Sequence, residues 1–573
     1  MATWWRSSPQ LRGREIALAA VAGALLAIAL FWPLPLNLGT DIPLDLGDPL
    51  PQSWQVAWDG HALKTQPGAF YQSNQFWPLA DTLAFSDALI GYTPAGLIGS
   101  GPRAAVVRYD LLFLFAFALA FLGGYLLARE LGAPPWAAAV GGAAFACAPW
   151  RLEQGGHLHV LSSGGIPLTL FLLLRGWRRE RPWLVVAGFA VAAWQVSLGF
   201  SLGLLLAYLL LVLGAVAGVW WLRAGRPALP RRMLVATVAG GLLLAVTSWG
   251  LAQPYMRVLD AHPEARRSAV TVARYSGGPE IFLTASRTSL VWGGATSGLR
   301  DGRVAVAEKT LFPGLAILLL ALAGLGWRGY PRGLRIGLGG AVIVLGVLSL
   351  GFQVDGVGRL LPYRLLWDWL PGWQAIRVPG RLHTLTTLAL ALLAAGGAAR
   401  VTAALRARRG ARAAGVLAAA LVAAVVIEGS GFGIGRDGQA LAGYPHPTVP
   451  AAPAGLAGLP EPLLQLPAAP EDNRRYLLWS TDGFPKMLNG RSSLEPRFFK
   501  ETLRSFPTPC FPTRAAVDRL RRIGVRTVVV HTDRPDNTIP GVAIACAEPR
   551  PTPAQLGVRR ERRGPLLVYH LGG

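Results

Sequence analysis

The sequence has little of what a soluble domain is built from. Charged residues make up 15% of its 573 positions, against about 25% in ordinary soluble domains. Lysine is nearly missing, with four residues (Lys64, Lys309, Lys486 and Lys500), and there are only three cysteines. Hydrophobic residues, in contrast, reach 52%. Together these values exclude a disulfide-dense secreted domain and indicate a membrane protein.

Acidic residues are also scarce, since 31 Asp and Glu face 55 Lys and Arg and leave a formal charge of +24. The arginines are dispersed in short segments between apolar runs, so no single basic face is available to a nucleic acid, and we expect none as a partner. The sequence also lacks GxxxxGK[ST] and a convincing GxGxxG. These absences argue against an ATP-driven pump and against a cytoplasmic domain that binds a nucleotide sugar.

Apolar runs, by comparison, are plentiful. Eleven runs approach the roughly 20 residues that cross the hydrocarbon core of a bilayer. They are residues 16–36, 106–128, 135–149, 158–175, 182–199, 201–221, 232–252, 310–327, 333–352, 384–399 and 413–431. The first run ends in FWPLPL without a small-residue cleavage site, so we interpret it as a retained anchor.

Orientation follows from the arginine-rich loops. Four such loops, residues 175–182, 222–232, 327–335 and 400–412, fall on one side if the eleven runs alternate across the bilayer. The positive-inside rule then puts the N-terminus in the cytoplasm and the C-terminus outside. We predict a multi-pass protein of the cytoplasmic (inner) membrane. Its outward segments would include residues 37–105 and 253–309, followed by everything after 431.

The first outward segment opens with LGTDIPLDLGDP, which places Asp41, Asp45 and Asp48 within eight positions. Its glycines and prolines predict a turn, and the acids could simply be turn residues. Asp48 differs, because it lies between Gly47 and Pro49 just ahead of a tryptophan-rich stretch. A carboxylate there could take a proton from an acceptor hydroxyl or hold a divalent ion.

The tryptophan-rich stretch itself has near-helical spacing. Trp54, Trp58 and His61 predict a short amphipathic helix that lies along the membrane surface, with its tryptophans at the headgroups.

Two further clusters carry candidate residues. The first, APWRLEQGGHLHV (148–160), holds Arg151, Glu153, His157 and His159 in one tight turn, where Arg151 and Glu153 could equally form an ordinary ion pair. The second, WQAIRVPGRLH (373–383), holds Arg377 and Arg381. Arginine suits phosphate because its planar fork makes two charge-assisted bonds, although lipid headgroups are an alternative ligand. The 253–309 segment adds Arg266, Arg267, Arg274, Tyr275, Glu308 and Lys309.

The last 140 or so residues lose the long apolar runs and predict a small outer α/β domain (432–573), following a membrane domain at 1–431. A helix is predicted over 515–524, ending at Gly524. Strands are predicted at Leu463–Leu466, Tyr476–Trp479, Val525–His531, Val542–Cys546 and Leu566–Tyr569. An outer location would permit a disulfide between Cys510 and Cys546.

The order of these elements resembles the bacterial multi-pass membrane glycosyltransferases of the GT-C superfamily. The resemblance rests on an N-terminal span, a loop with Gly47-Asp48-Pro49 followed by Trp54, Trp58 and His61-Ala62-Leu63, then Pro149 with GGHLH, RVPGRLH and an outer tail with RIGVRTVVVH. It implies a polytopic α-helical fold and sugar transfer from a polyprenyl-phosphate donor to a glycan, lipid or protein acceptor outside the membrane.

The resemblance also implies roles for residues. Asp48 would be the catalytic base, with Asp45 and Asp41 as alternates. Arg151, Arg377 and Arg381 would hold the donor phosphate, while His157, His159 and Glu153 would orient sugar or phosphate. Trp54, Trp58 and His61 would face the acceptor. No DxD motif is present, so a divalent cofactor, Mg²⁺ or Mn²⁺, is left open.

Two alternatives belong to other classes. A transporter or flippase of a lipid-linked or polar solute would place ionisable residues at mid-membrane. A non-catalytic scaffold for envelope assembly would leave Asp48 as a turn residue in open water.

Overall fold

The structure is a computed structural model that describes residues 8–353, 357–431, 433–434, 440–441, 444–504, 510–532, 544–545 and 552–572. The chain divides into two compact units. The first, which we call the membrane unit, consists of Met1–Leu36, Leu111–Gly250 and Arg266–Pro445. The second, which we call the sheet unit, consists of Asn37–Asp110, Leu251–Ala265 and His446–Gly573.

Apolar helices dominate the first 431 residues. Seven described helical segments are long and apolar enough to cross a membrane. They are Gly13–Leu30, Gly101–Leu131, Leu158–Arg178, Phe200–Arg223, Arg231–Ala261, Arg332–Ser349 and Pro379–Glu428. Three shorter apolar helices are Pro135–Ala146, Pro182–Leu198 and Leu315–Leu325.

Every one of the eleven apolar runs found in the sequence falls on one of these helices, which confirms a helical polytopic membrane fold. The last two runs share one helix, His383–Glu428, which is interrupted at Gly410 by non-helical backbone angles. The number of crossings, eleven, stays a prediction.

The remaining helices are short. In chain order the nineteen helices of the described residues are α1 Gly13–Leu30, α2 Pro49–Thr65, α3 Thr93–Gly96, α4 Gly101–Leu131, α5 Pro135–Ala146, α6 Leu158–Leu161, α7 Gly165–Arg178, α8 Pro182–Leu198, α9 Phe200–Arg223, α10 Arg231–Ala261, α11 Ala269–Arg274, α12 Ser297–Arg300, α13 Leu315–Leu325, α14 Arg332–Ser349, α15 Tyr363–Trp369, α16 His383–Glu428, α17 Pro470–Trp479, α18 Arg497–Arg504 and α19 Arg514–Ile523.

Within the membrane unit, charged side chains fasten helix ends. Glu130, fully buried at the end of α4, bonds to Arg175 at 2.7 Å and to Arg178 at 3.0 Å on α7. Glu428, the last residue of α16, accepts a hydrogen bond from the backbone N–H of Ala316 at 2.9 Å. That bond satisfies one of the N–H groups that the first turn of α13 cannot pair within the helix.

The sheet unit contains a four-stranded sheet in the order β3-β5-β8-β7. Strands β3 and β5 are parallel, and the other two pairs are antiparallel. The strands of the described residues are β1 Gly433–Ile434, β2 Ala440–Leu441, β3 Leu463–Leu466, β4 Cys510–Phe511, β5 Thr527–His531, β6 Ile544–Ala545, β7 Arg559–Arg563 and β8 Leu566–His570.

The predicted α/β unit is confirmed in part. Helix α19 ends, as predicted, at Gly524, whose φ of 86° is left-handed and therefore favours glycine. The predicted strand at Tyr476–Trp479 is wrong, because these residues end α17. Strand β7 was not predicted, since RRERR carries no apolar residue.

The sequence prediction placed residues 37–105 in the membrane domain, 1–431. The structure instead groups them with the C-terminal residues. These residues join the C-terminal sheet, because Trp77 N–H donates to the Met487 carbonyl at 2.8 Å and Met487 N–H donates to the Asn74 carbonyl at 2.7 Å.

Helix α2 forms where the tryptophan spacing predicts it, but its predicted place at the membrane surface is wrong. Trp54 and Trp58 are buried and pack with Val529 of β5 and Val568 of β8. Each indole N–H is used inside, at Asn74 Oδ1 (2.9 Å) and at the Phe70 carbonyl (3.1 Å). The rings are therefore part of the sheet unit's core and do not face lipid.

The opposite side of α2 packs closely on α3. A Cβ built on Gly60 would lie 2.0 Å from the carbonyl oxygen of Gly96, so only glycine allows this approach. Residues 88–100 are apolar but too short for a span, and they form the short α3 and its flanking turns.

The predicted disulfide cannot be followed, because Cys546 and the side chain of Cys510 lie outside the described residues. Cys147 is a buried free thiol, as expected of a small apolar residue.

Candidate active site

The three acids of the opening loop lie in the sheet unit, where each has a different partner. Asp41 Oδ1 accepts a hydrogen bond from Thr448 Oγ1 at 2.9 Å. Asp45 Oδ1 accepts one from the Gly47 backbone N–H at 2.8 Å. Both acids therefore shape the loop, which is the role that turn residues have in general.

Asp48 stands apart from the other two. It immediately precedes α2, so its carboxylate lies at the N-terminus of a seventeen-residue helix. Arg474 of α17 lies beside it, with Nη2 3.5 Å from Asp48 Oδ1. The helix N-terminus and the guanidinium both interact favourably with a negative charge. The Asp48 side chain is also 42% exposed, so a substrate hydroxyl can reach it.

A fourth carboxylate, Asp59, lies three turns further along α2 and was given no role by the sequence. It is fully buried, and neither carboxylate oxygen has a hydrogen-bond partner among the described residues. Burial raises the pKa of Asp59 well above its usual range, because it disfavours the charged form. Because Asp59 is buried, a substrate cannot reach it, whereas the partly exposed Asp48 is accessible.

His61, on the same helix, is half-buried. Its ring lies 5.3 Å from Trp58 and 4.5 Å from Phe484, centroid to centroid. Burial lowers the pKa of His61.

In the membrane unit, the turn Pro149–Gln154 is supported by Arg151. This arginine is buried, donates to Ser163 Oγ at 2.9 Å and to the Leu161 carbonyl at 2.8 Å, and lies 5.1 Å from the ring of Phe117. Burial lowers the pKa of Arg151 to about 10. With its Nη atoms committed to the turn, Arg151 fits a supporting role better than the predicted contact with phosphate.

The other residues of this turn are held at its surface. Glu153 accepts a hydrogen bond from Ser286 Oγ. His157 Nδ1 lies 3.0 Å from Gln154 Oε1, and the rings of His157 and His159 are 5.7 Å apart.

Glu308 joins two clusters that the sequence could identify only separately. Its Oε2 lies 3.4 Å from Gln154 Nε2, on the GGHLH turn, and its Oε1 lies 3.6 Å from Arg381 Nη2, in the RVPGR segment. Arg381 also donates to Ser201 Oγ at 3.2 Å. The predicted groups around His157 and Arg381 are thus neighbours, linked by a carboxylate to which the sequence gave no role.

Next to this link, cations outnumber carboxylates. Arg303 is paired with Glu280 at 2.8 Å, and Arg381 with Glu308. Arg274, Lys309 and Arg377 have no carboxylate partner among the described residues. The Arg377 guanidinium lies 5.0 Å from the ring of Tyr275, in the segment that ends α11.

The pKa of Lys309 reflects the positive charges around it. Burial lowers the pKa of Lys309, and the charges of Arg303 and Arg274 lower it further, while Glu280 acts in the opposite sense. A half-buried ammonium held beside two guanidinium groups needs an anion, since like charges in a partly buried site repel each other. We call Arg274, Lys309 and Arg377 the unpaired cations.

His383 is a further residue that sequence reasoning passed over. It opens α16 one residue after the Arg381 turn, buried between Trp150 and Phe282 with ring centroids 5.5 and 5.6 Å away. Neither ring nitrogen has a hydrogen-bond partner in the described part of the chain. Buried polar groups in proteins rarely lack a partner, so a water or ligand atom is expected at this ring.

The described residues form no evident binding site for a divalent ion. Among the described residues no group of three or more His, Cys, Asp and Glu side chains is placed to hold a metal, and Asp41, Asp45 and Asp48 are each engaged elsewhere. We therefore derive no step through a metal.

No protein-family model matches the sequence, and no curated protein matches it either. The fold does match solved structures. The arabinofuranosyltransferase AftD from Mycobacteria, solved by cryo-electron microscopy as a mutant, superposes with a TM-score of 0.55 at 17% identity, over 99% of this chain and 42% of that one. The chain therefore shares the fold of that arabinofuranosyltransferase.

This chain spans less than half the length of that arabinofuranosyltransferase. Two structures of the Archaeoglobus fulgidus oligosaccharyltransferase are more distant. One, tethered to an acceptor peptide, gives a TM-score of 0.45 at 14% identity, over 91% of this chain and 69% of that one. The other, in complex with an inhibitory peptide and a dolichol-phosphate, gives 0.36 at 13%, over 90% and 69%. The shared fold rests on the first likeness alone.

Proposed function

We propose that this protein transfers a sugar from a polyprenyl-phosphate-linked donor to an acceptor hydroxyl on the outer face of the cytoplasmic membrane, with its N-terminus in the cytoplasm and its C-terminus outside. The acceptor would be a glycan, a lipid or a protein. The unpaired cations carry the proposal, because three cations that form no ion pair with a carboxylate among the described residues suit the phosphate of such a donor. The fold shared with the arabinofuranosyltransferase supports it.

The leaving group is the first part of the chemistry. When the bond between the anomeric carbon and the phosphate oxygen breaks, negative charge develops on the lipid phosphate. Lys309, Arg274 and Arg377 would hold that phosphate, and Arg381, shared with Glu308 and Ser201, would add to the positive field. Arginine forks also fix the orientation of a phosphate through paired hydrogen bonds.

The nucleophile is the second part. Asp48 would accept the proton of the acceptor hydroxyl as its oxygen attacks the anomeric carbon. A single displacement of this kind inverts the configuration at that carbon. The place of Asp48 at the N-terminus of α2, beside Arg474, favours it over Asp41, whose carboxylate bonds to Thr448, and over Asp45, whose carboxylate bonds to the Gly47 N–H.

The distribution of charge favours this function over transport. A transporter requires ionisable groups near the middle of its spans. In the described residues, the charged side chains of α4 lie in its first and last thirds, at Arg103, Arg108, Asp110, Arg129 and Glu130. The unpaired cations lie outside α10, α13 and α14, in the segments that connect the long helices.

The decisive experiment is transfer from a panel of synthetic polyprenyl-phosphate sugars by purified protein in detergent. Wild type and Asp48→Asn are compared with Asp41→Asn and Asp45→Asn as matched carboxylate variants. We expect turnover by wild type and a loss of about 10²–10⁴-fold in Asp48→Asn alone, the usual contribution of a positioned base. Full activity of Asp48→Asn would remove Asp48 from the mechanism, and the variant that loses activity would name the base.

A further inference from the structure

A group of positive charges in the sheet unit lies at one end of the four-stranded sheet. Helix α19 ends at Ile523, β5 begins at Thr527, β8 ends at His570 and β7 begins at Arg559. The register pairs Thr527 with His570 and His570 with Arg559, so these ends are adjacent. Five arginines come together there: Arg521, Arg522, Arg526, Arg559 and Arg560.

Arg521 ties this end of the sheet together. Its guanidinium donates to the carbonyls of Leu571 at 2.7 Å, Gly557 at 2.8 Å and Leu556 at 3.2 Å. These bonds join the C-terminus of α19 to the chain that enters β7 and leaves β8. These bonds hold in place the backbone that carries the other four arginines. We call Arg522, Arg526, Arg559 and Arg560 the basic end.

Carboxylates do not neutralise the basic end. Glu561 is the one acid of β7, and it is shared among Arg563 at 2.7 Å, His570 at 3.2 Å and Arg559 at 3.5 Å. Asp518 lies one turn before Arg522, whose Nε donates to its backbone carbonyl at 3.4 Å. Arg522, Arg526 and Arg560 have no ion pair among the described residues, and all three are exposed.

The positive charge continues from the basic end along strand β7. Strand β7 is an edge of the sheet, and on one of its faces Arg562 follows Arg560 at about 6.7 Å, the two-residue repeat of a strand. Arg562 is also exposed and has no described ion pair. Two guanidinium groups at this spacing fit a polymer whose charges recur, because each fork can bind one carboxylate or phosphate.

The side chains around the row distinguish a glycan from a lipid surface. Membrane-surface patches combine basic residues with apolar or aromatic side chains that enter the headgroup region. In the described residues, no strongly exposed large hydrophobic side chain lies beyond Ile427, so the basic end has nothing to insert. We propose that the basic end is a docking surface for an anionic glycan, a sugar chain that bears carboxylate or phosphate groups. The choice of a glycan rests on the proposed function, because a glycosyltransferase would bind such a sugar chain as its acceptor or as the carrier of its acceptor.

The test measures binding without any donor. Full-length protein in phosphatidylcholine nanodiscs is titrated into fluorescent oligogalacturonate, and a neutral maltooligosaccharide of equal length serves as the control ligand. We expect saturable binding of the anionic chain only, weakened by 500 mM salt as screening requires. The variant Arg522→Gln/Arg526→Gln/Arg560→Gln should bind about tenfold more weakly, since each exposed charge contributes modestly.

A second triple variant controls for loss of charge. Arg406→Gln/Arg408→Gln/Arg409→Gln removes three exposed arginines from the membrane unit and should bind as wild type does. Melting temperatures of both variants establish that they fold. Equal binding by wild type and the basic-end variant would overturn the proposal, as would no binding of oligogalacturonate. Basic-end-dependent binding to phosphatidylglycerol vesicles alone would overturn it in favour of lipid.

Because no sugar is transferred in this assay, its result is separate from that of the proposed function. A protein that binds oligogalacturonate through the basic end but transfers from no donor would keep this inference and contradict the transferase.

Discussion

Glu308 and Arg381 form a buried ion pair in the membrane unit, with 3.6 Å between Oε1 and Nη2 and with side chains 8% and 10% exposed. Removing one partner of a buried pair leaves an uncompensated charge, which costs about 3–5 kcal/mol. We therefore expect Arg381→Met to lower the melting temperature in detergent markedly. The double variant Arg381→Met/Glu308→Gln should recover most of the loss, and additive losses would contradict the coupling.

Lys309 provides a test of the phosphate site through pH. Because its pKa is lowered, by burial first and then by Arg303 and Arg274, its charge is lost at a lower pH than that of an ordinary lysine. Donor binding by wild type should therefore weaken as the pH rises, while Lys309→Arg should keep its donor KM to higher pH. The readout is donor KM against pH for the two proteins.

Lys309→Gln should raise the donor KM about ten- to hundredfold at pH 7, the value of one charge-assisted hydrogen bond. Lys500→Gln is the matched control, since Lys500 is paired with Glu495 at 3.4 Å in the sheet unit. Equal effects of the two substitutions would show that only general charge matters.

Arg474 offers a test that Asp48, and neither of its neighbours, is the base. Arg474→Gln removes the cation 3.5 Å from Asp48, so protonation of that carboxylate becomes easier and the acid limb of the profile of kcat/KM against pH should move to higher pH. Arg475→Gln removes the neighbouring arginine, which pairs with Asp472 at 3.6 Å, and should leave the limb in place. An unmoved limb in Arg474→Gln would argue for Asp41 or Asp45.

Asp59 should make stability depend on pH. Burial raises its pKa in the folded protein, so the folded state favours the proton more than the unfolded state does. Above the unfolded value of about 3.9, stability is lost progressively until the pH passes the raised folded pKa. Asp59→Asn stays neutral and should melt higher than wild type at pH 8 but equally at pH 4. A difference that does not grow with pH would contradict this assignment.

Glu428 should matter for the membrane unit beyond its own helix. It accepts the Ala316 N–H and also lies 3.3 Å from Trp292 Nε1. Glu428→Ala leaves both donors without that acceptor, so we expect a loss of about 1–3 kcal/mol. Glu428→Gln keeps one acceptor oxygen and should lose less, as thermal unfolding in detergent would measure. A larger loss in Glu428→Gln would contradict the capping role.

Hydropathy predicted the helices of the membrane unit well, because the length of an apolar run is a local property. The same holds for α19, whose apolar period and Gly524 are adjacent in the chain. Local pattern failed where burial depends on distant partners. Trp54 and Trp58 carry the composition of interfacial residues, but Val529 and Val568 cover them, and no signal near residue 54 reveals a strand made almost 500 residues later.

The candidate site was predictable in its parts and not in its connections. Arg377, Arg381 and His157 were named as candidates because each lies in a short polar segment at the predicted outer ends of apolar runs. Glu308 had no such signal, since a lone glutamate in a loop looks like any solvated charge. Only the fold shows that it bridges Gln154 and Arg381. Strand β7 was missed for the opposite reason, because five charged residues in a row carry no hydrophobic period.

The burial of Trp54 and Trp58 has a consequence for the order of biosynthesis. Both are made early, yet the strands that cover them, β5 and β8, are made more than 400 residues later. During the intervening synthesis the helix that follows Asp48 lacks these two strands. The acid loop is therefore completed only after the sheet has formed, so a nascent or truncated chain exposes two tryptophans that a protease or chaperone can recognise. Burial of these two rings thus reports that translation has passed β8.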